Sequence, residues 1–514
     1  MLHTKTPGKS FINSAEYRDK VLGCWTGKNI GGTLGGPMEG AREMFDISFY
    51  TQELKGNPAP NDDLDLQLVW LRAIGERGVY NINERVLGEY WLAYITGPWN
   101  EYGTGKFNLM NGLLPPLSGL CNNEQWMNSN GAWIRSEIWA CLFPGEPDET
   151  LAFAWMDACV DHADEGIYAE LFTASLESAA FIESDVNRLI EIALLRIPSA
   201  CRVAKCVRSA LREFEAGNDW RSVRDRIVGE NVDLGWFQAP VNIAFLVIGL
   251  LWGRGNFGRS VCIAVNCGDD TDCTAATCGA VLGIILGRSG IPREWVEPIG
   301  ERIKTIAVNP FRLELSETLD ELTDRVITCK RETDFANPAL VRLTEGKTVI
   351  DEEVRRLLTD STNAERELAG RSSRALKFDL PYGRLTVEYG KSPVTTPGER
   401  QKLRLSFFNR FSDCAPLCVS WRLPEGWDIA PGREHQLMSR AEYYHSLEIE
   451  IQAGIFERSM AFVVMEVRLA GREYPSFLTL PFRLAGSVQC GNAQPEQVYW
   501  NAENRRKARE LALK

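Results

Sequence analysis

The hydrophobic period of this chain changes once, near residue 370, and a chain that changes period cannot pack as one uniform layer of structure. From about residue 15 to residue 330 apolar residues recur with helical spacing, in Ala- and Leu-rich segments such as 170–180 and 186–195. Beyond 370 they alternate. Leu403, Leu405 and Phe407 alternate with polar neighbours, Leu447, Ile449 and Ile451 are separated by Glu448 and Glu450, and Met465, Val467 and Leu469 by Glu466 and Arg468. Leu423-Pro424-Glu425-Gly426-Trp427 supplies turn chemistry between such runs. The pattern predicts a multidomain chain: an all-α domain over 15–330, a charged helical connector over 331–370, a small antiparallel β-sandwich over 371–487 and a tail over 488–514. The basic end of that tail, 505–514, reads as a solvated helix.

Composition narrows the function classes. The chain is 44% hydrophobic and 25% charged, as folded globular proteins are. Its 57 Lys and Arg against 69 Asp and Glu leave a net charge of −12, which repels a polyanion, so no nucleic-acid partner is expected. The apolar runs at 241–253 and 275–287 fall short of the ~20 residues that cross a bilayer and read as core helices, so no membrane is expected either. The first twenty residues lack the apolar core of a secretory signal, and the 14 cysteines sit mostly singly in apolar segments without CxxC spacing. Buried thiols of a cytoplasmic protein are the expectation. The sequence is open to a homo-oligomer.

Three stretches concentrate side chains that are costly to bury without a purpose. Asn61-Asp62-Asp63-Leu64-Asp65 opens an apolar helical segment at 66–74, where adjacent carboxylates need a cation or a helix N-terminus to compensate them; an N-cap cluster is the alternative. Asn266-Cys267-Gly268-Asp269-Asp270-Thr271-Asp272-Cys273-Thr274 places three aspartates at the mouth of a Gly- and Ala-rich helix. Asp270 and Asp272 converge on one point only where the backbone is still turning into that helix. Such a carboxylate set suits a hard divalent ion, Mg²⁺ or Mn²⁺ rather than Zn²⁺. Two such clusters adjacent in a bundle are what a two-ion site needs. The third stretch has glycines at 23, 27, 31 and 35 on one helix face, which admit either a second helix or a ligand, and ends at Gly35-Gly36-Pro37-Met38-Glu39. A long irregular stretch, 97–147, carries Trp99, Tyr102, Trp126, Trp133 and Trp139 and reads as a pocket wall or as a loop-rich core.

Together these motifs resemble the ADP-ribosylglycohydrolase family over about residues 17–310. Gly35-Gly36-Pro37-Met38-Glu39 is similar to its Gly-x-Pro-x-Glu motif, Asn61-Asp62-Asp63-Leu64 to its Thr-Asp-Asp-Thr motif, and Gly268-Asp269-Asp270-Thr271-Asp272-Cys273 to its Gly-Gly-Asp-Thr-Asp-Ser/Thr motif. Ser129-Asn130-Gly131-Ala132-Trp133-Ile134-Arg135 resembles its Asn-Gly-x-x-Met-Arg loop, and Asp161-His162-Ala163-Asp164-Glu165 the start of its following helix. The resemblance implies an orthogonal all-α domain whose cleft holds up to two Mg²⁺ or Mn²⁺ ions. It implies Asp62, Asp63, Asp270 and Asp272 as ligands, with Asn61 and Cys273 in ligand positions. Ser129, Asn130, Gly131 and His162 are implied to line the ribose pocket.

Glu39 is the candidate for proton transfer, with Asp63 as its substitute. The implied activity is metal-dependent cleavage of the N- or O-glycosidic bond at the anomeric carbon of an ADP-ribosyl or related ribosyl group, free or protein-linked. A glycosidase or nucleoside hydrolase acting on a non-phosphorylated sugar, and a non-catalytic ribosyl-binding or structural protein, are the alternatives. Three positions depart from the family pattern: Asn61 replaces Thr, Cys273 replaces Ser or Thr and is a poor ligand for Mg²⁺, and Gly32 replaces an Asp that is not among the expected ligands. Thr274 or Asp269 are candidates to rebuild a site weakened at Cys273. The sandwich resembles Ig-like accessory modules of carbohydrate-active enzymes and is expected to serve an interdomain or dimer contact.

Overall fold

The computed structural model describes residues 10–309, 313–336, 340–411, 414–440 and 443–487; the expected helix at 505–514 lies outside them. Helices dominate up to residue 369, and among the described residues every strand except one short pair follows it. That pair joins β1 (Ser10–Asn13) to β2 (Val341–Thr344) in parallel. The segment 331–370, expected to be helical, therefore contains a strand between the end of the helix Leu319–Ala336 and the helices Glu352–Leu358 and Thr362–Ala369. Val341, Val354, Leu358 and Ala364 pack into the same apolar cluster as the helical domain, so the connector is part of that layer. Among the described residues no helix is long and apolar enough to cross a membrane.

The helix Ser14–Gly35 begins where Asn13 Oδ1 accepts the N–H groups of Ala15 and Glu16. It then lies antiparallel along Thr271–Leu286, and its glycines decide the separation. A Cβ on Gly23, Gly27, Gly31 or Gly35 would stand 2.2, 1.9, 2.0 and 2.2 Å from the carbonyl oxygens of Gly283, Gly279, Ala275 and Thr271. Each step of four along one helix is matched by a step of four back along the other. The glycine face that could have admitted a ligand admits a helix backbone. This register brings the C-terminal end of the first helix against the N-terminal end of the second, and Thr271 Oγ1 closes the contact by donating to Gly35 O at 2.8 Å.

The C-terminal unit is a sandwich of two five-stranded sheets. One has the order β3 (Ala375–Leu380), β4 (Gly383–Tyr389), β6 (Arg400–Asn409), β10 (Tyr444–Gln452) and β8 (Asp428–Ala430). The other runs β5 (Val394–Thr395), β12 (Ser476–Leu484), β11 (Met460–Leu469), β7 (Ala415–Arg422) and β9 (Glu434–Ser439). Pairing is antiparallel except between β5 and β12. Leu403, Leu405 and Phe407 of β6 are buried on the inner face, as the alternation predicts. This core also takes in Leu113, Leu117 and Cys121, which belong to the irregular stretch of the helical domain.

The aromatic residues of that stretch mostly fill core. Trp133 and Trp139 are fully buried and Tyr102 nearly so, with Trp139 Nε1 donating to Asp157 Oδ2 at 2.8 Å and its ring stacked on Phe153. The pocket-wall expectation fails for these three because each indole or phenol is enclosed by neighbouring helices; Trp99 and Trp126 remain partly exposed.

Candidate metal centre

The turn between the helices Phe257–Asn266 and Thr271–Leu286 is made by Gly268 and Asp269, both at positive φ (+77° and +66°). Only glycine fits at 268, where a Cβ would stand 2.1 Å from Glu43 O. Asp269 N–H donates to Ala41 O at 2.7 Å, and Asp269 O accepts from Gly40 N–H at 2.9 Å. The turn is thereby sewn to the chain just after Glu39, and Asp270 and Asp272 are delivered beside that acid. Asp269 Oδ1 is itself taken by Phe237 N–H, and Thr274 Oγ1 donates to Thr271 O. Neither is drawn into the acidic centre as a substitute for Cys273.

Ligand atoms of Asp63, Asp272 and Cys273 lie within 4.8 Å of one another, and so do those of Glu39, Asp270 and Asp272. The two groups share Asp272. Both carboxylate oxygens of buried Asp63, and Oδ1 of Asp272, have no hydrogen-bond partner within the protein. Burial raises Asp63 from its ordinary 3.8 to about 7 against the pull of Lys28. Burial, with Asp63 nearby, does the same to Asp272, which is also pushed up to about 7. Burial and then the neighbouring Asp272 hold Asp270 well above its ordinary value. Buried carboxylate oxygens without partners fit a hard cation, which would supply the compensation the protein withholds.

The expected ligands do not stand alike. Asp63, Asp270, Asp272 and Cys273 converge, and Glu39 joins them although it was expected only to move protons. Asn61 ties the centre together: its Oδ1 accepts Asp63 N–H at 2.6 Å and its Nδ2 donates to Asp272 Oδ2 at 3.2 Å. Asp62 lies outside both convergent groups, at a partly exposed position. The capping alternative for this stretch does not hold, because Leu64 occupies the cap of the helix Asp65–Arg77 and no side chain caps it. A Cβ on Gly32 would stand 2.7 Å from Asn61 Nδ2 and 3.3 Å from Asp63 Oδ2. Position 32, although not among the expected ligands, therefore faces the centre.

The loop 129–135 reaches the centre through Asn130, whose Nδ2 donates to Asp270 Oδ2 at 2.7 Å while its Oδ1 accepts from Trp133 Nε1 at 2.9 Å. Ser129, Gly131 and His162 are buried behind it. His162 Nε2 lies 3.2 Å from Ser129 Oγ and Nδ1 lies 2.9 Å from Asp161 Oδ1. Asp161 pairs with Arg135 at 2.7 Å, Arg135 with Asp157 at 2.7 Å, and Arg135 Nη1 donates to Gly131 O at 2.7 Å.

Sequence reasoning missed two contributors to this neighbourhood, Glu101 and Lys28. Glu101 is buried with Oε2 unpartnered, and a Cβ on Gly131 would stand 2.3 Å from its Oε1. Lys28 pairs with Glu137 at 2.6 Å. Burial works against its charge, but Glu137 and then Asp63 hold the ammonium above its ordinary range. Asp65, the last acid of the first acidic stretch, belongs to neither convergent group and instead accepts the N–H groups of Ile306, at 2.6 Å, and Ala307. A lysine directly after Gly27, within the glycine repeat, is the one signal in the sequence for Lys28.

Without a divalent ion, Asp63 and Asp272 bind protons more tightly in the folded chain than in the unfolded one. Their contribution is therefore fully present below about pH 4 and is lost as pH rises through about 7. An ion competes with those protons, so Mn²⁺ should raise the melting temperature more at pH 8 than at pH 5. A hundredfold excess over Kd corresponds to about 2.7 kcal/mol. Melting curves with and without Mn²⁺ at the two pH values check this, and equal shifts would contradict it.

Fold and site together define an all-α domain with a buried carboxylate centre, followed by a β-sandwich. The chain belongs to the ADP-ribosylglycohydrolase family, whose sequence profile matches residues 13–333. It is similar to the ADP-ribosylarginine hydrolase Tri1 of Pseudomonas putida (strain GB-1), 36% identical over 83 residues, which are 16% of this chain and 22% of that protein. It is also similar to the ADP-ribosylarginine hydrolase Tri1 of Serratia proteamaculans (strain 568), 38% identical over 63 residues, 12% of this chain and 17% of that one. The chain thus spans about a fifth of the length of these curated relatives. An alignment with the solved structure of Pseudomonas fluorescens alkylpurine DNA glycosylase AlkC bound to DNA covers 68% of this chain and 95% of that one, at 13% identity and a TM-score of 0.13, and carries no argument.

Proposed function

We propose that this chain hydrolyses the glycosidic bond at the anomeric carbon of an ADP-ribosyl group, with protein-linked ADP-ribosylarginine as the substrate, and that it requires Mg²⁺ or Mn²⁺. The observation that carries the reading is the set of unpartnered, buried oxygens on Asp63 and Asp272, gathered with Asp270, Glu39 and Cys273. Family membership and the names of the two relatives support the choice of bond and substrate.

Asp63, Asp270 and Asp272 would hold the ion, with Glu39 and Cys273 within reach and Asp62 at the rim. The bound ion supplies polarisation of ribose hydroxyls and of a water. Glu39, partly exposed at the edge of the centre, accepts the proton of the attacking water, and Asp63 is its substitute. Lys28 keeps a positive charge beneath Asp63 and favours its ionised form. Asn130 fixes the orientation of Asp270, and Ser129, Gly131 and His162 form the wall behind it. A centre this rich in carboxylates stabilises the positive charge that develops on the ribosyl carbon as the bond breaks. Among the described residues, eleven buried free cysteines support a reducing, cytoplasmic setting.

The test is release of free ADP-ribose from an ADP-ribosylarginine peptide. Stripping divalent ions with a chelator should lower the rate at least a hundredfold, and Mn²⁺ should restore it. An unchanged rate after chelation, or tight ADP-ribose binding with no turnover in Mn²⁺, would overturn the proposal.

A further inference from the structure

The irregular stretch between the helix Asn100–Met110 and the Asn130 loop is shared between the two domains. Leu113, Leu117 and Cys121 are buried in the sandwich's apolar core rather than in that of the helical domain. At one end Gly112, at φ +83°, lies against β11: a Cβ there would stand 3.1 Å from the ring of Phe462. At the other end Asn122, at φ +47°, faces buried Arg483 of β12. With its amide oxygen turned to the guanidinium, Asn122 Oδ1 lies against it, with Nε the nearest donor at 2.8 Å.

The segment so clamped is bonded directly to the turn 160–162, which lies behind the Asn130 loop. Ser118 Oγ donates to Val160 O at 2.6 Å, and Asn123 Nδ2 to Asp161 O at 2.8 Å. Gly119 packs backbone to backbone on His162, leaving no room for a Cβ, which would stand 2.2 Å from His162 O. Asn123 O accepts the N–H groups of Trp126 and Met127. From there His162 meets Ser129, and Asn130 meets Asp270.

We infer that the sandwich holds the Asn130 loop in its working position, with Arg483 and Phe462 as its positioning residues. The hydrophobic anchors fix the segment 113–121, and Arg483 fixes the turn at Asn122 from which the loop departs. Neither residue touches the acidic centre, so their effect must travel through Asn123, Asp161, His162 and Ser129. The sandwich is then part of what places Asn130 on Asp270 and not a separate appendage. The turnover readout of this inference rests on the hydrolase reading above; the exchange readout does not.

The test uses the full chain carrying Arg483→Met or Phe462→Ala, the second being a mild change at a half-exposed position. Native-state hydrogen exchange at Met127 and Ser129 should speed up at least tenfold in either variant. Exchange in the helices Ser14–Gly35 and Thr271–Leu286 should stay as in the parent. Turnover of an ADP-ribosylarginine peptide should fall about tenfold, and Arg483→Met should add little further loss in an Asn130→Ala background. Unchanged exchange at 127–129, or a rise spread equally over the helical domain, would overturn the inference. So would equal losses on Arg483→Met with and without Asn130. Altered exchange in a chain whose parent shows no turnover would uphold the mechanical link and sink the hydrolase reading instead.

Discussion

Asp270→Asn should lower turnover of an ADP-ribosylated peptide roughly a thousandfold, about 4 kcal/mol of transition-state stabilisation, while the fold survives. The expectation follows from where the carboxylate sits. Asp270 is buried, shares a convergent group with Glu39 and Asp272, and is held in orientation by Asn130 Nδ2 at 2.7 Å. Burial and then the nearby Asp272 hold its carboxyl well above the ordinary range, so burial and Asp272 both work against the charge that the substitution removes. Exchange of the carboxyl for an amide of the same shape leaves no cavity and removes the repulsion from Asp272, so it costs little stability. What is lost is the anionic oxygen that an ion and the developing positive charge both require. Two readouts separate these effects: the melting temperature without divalent ion should match the parent within a few degrees, and the rise produced by Mn²⁺ should shrink or vanish. A variant that keeps parental turnover would remove Asp270 from the chemistry.

Gly27→Ala should cost about 3 kcal/mol of stability, the upper end of what overpacking usually costs. The added Cβ would stand 1.9 Å from Gly279 O, and the obstacle is helix backbone that cannot rotate away. For a domain of this size the loss corresponds to a melting temperature lower by roughly 4–5 °C. Gly75→Ala is the matched control, because Gly75 lies exposed in the helix Asp65–Arg77 with nothing within 4 Å of the added carbon. There the same change should stabilise by up to about 1 kcal/mol through helix propensity alone. Thermal unfolding of the two variants side by side reads the difference. Equal behaviour would mean that the helices are not in backbone contact, and with it the reason Glu39 meets Asp270 would be lost.

The glycine repeat shows how far local pattern reaches. Four glycines at spacing four identify a bare helix face, but what covers the face depends on Gly279 and Gly283, some 250 residues away and unremarkable in their own apolar run. The two acidic stretches were legible because unpaired carboxylates leading into apolar helices are costly anywhere, and their convergence rests on the same helix pair. Strand alternation marked the sandwich, and Leu403, Leu405 and Phe407 lie inward as it requires.

Other features left no periodic trace. Arg135, Asp157, Asp161 and Glu170 form a buried charged neighbourhood assembled from separate helices and loops, and each read singly is an ordinary polar residue. Asn61 matches a ligand position in sequence, yet an Asx turn onto Asp63 N–H claims its oxygen. Leu113 and Leu117 read as any loop leucines until the sandwich encloses them. The aromatic stretch misled in the opposite direction, since Trp133 and Trp139 look available for stacking in sequence and are enclosed in the fold.

Crystals grown in Mn²⁺ and measured at the manganese absorption edge give the most direct test of the shared acidic centre. Anomalous peaks should appear within about 2.2 Å of carboxylate oxygens from both Asp63 and Asp272, one of them also reaching Asp270. Manganese bound only at the protein surface, or only to one of the two acidic stretches, would contradict a joint ion-holding centre.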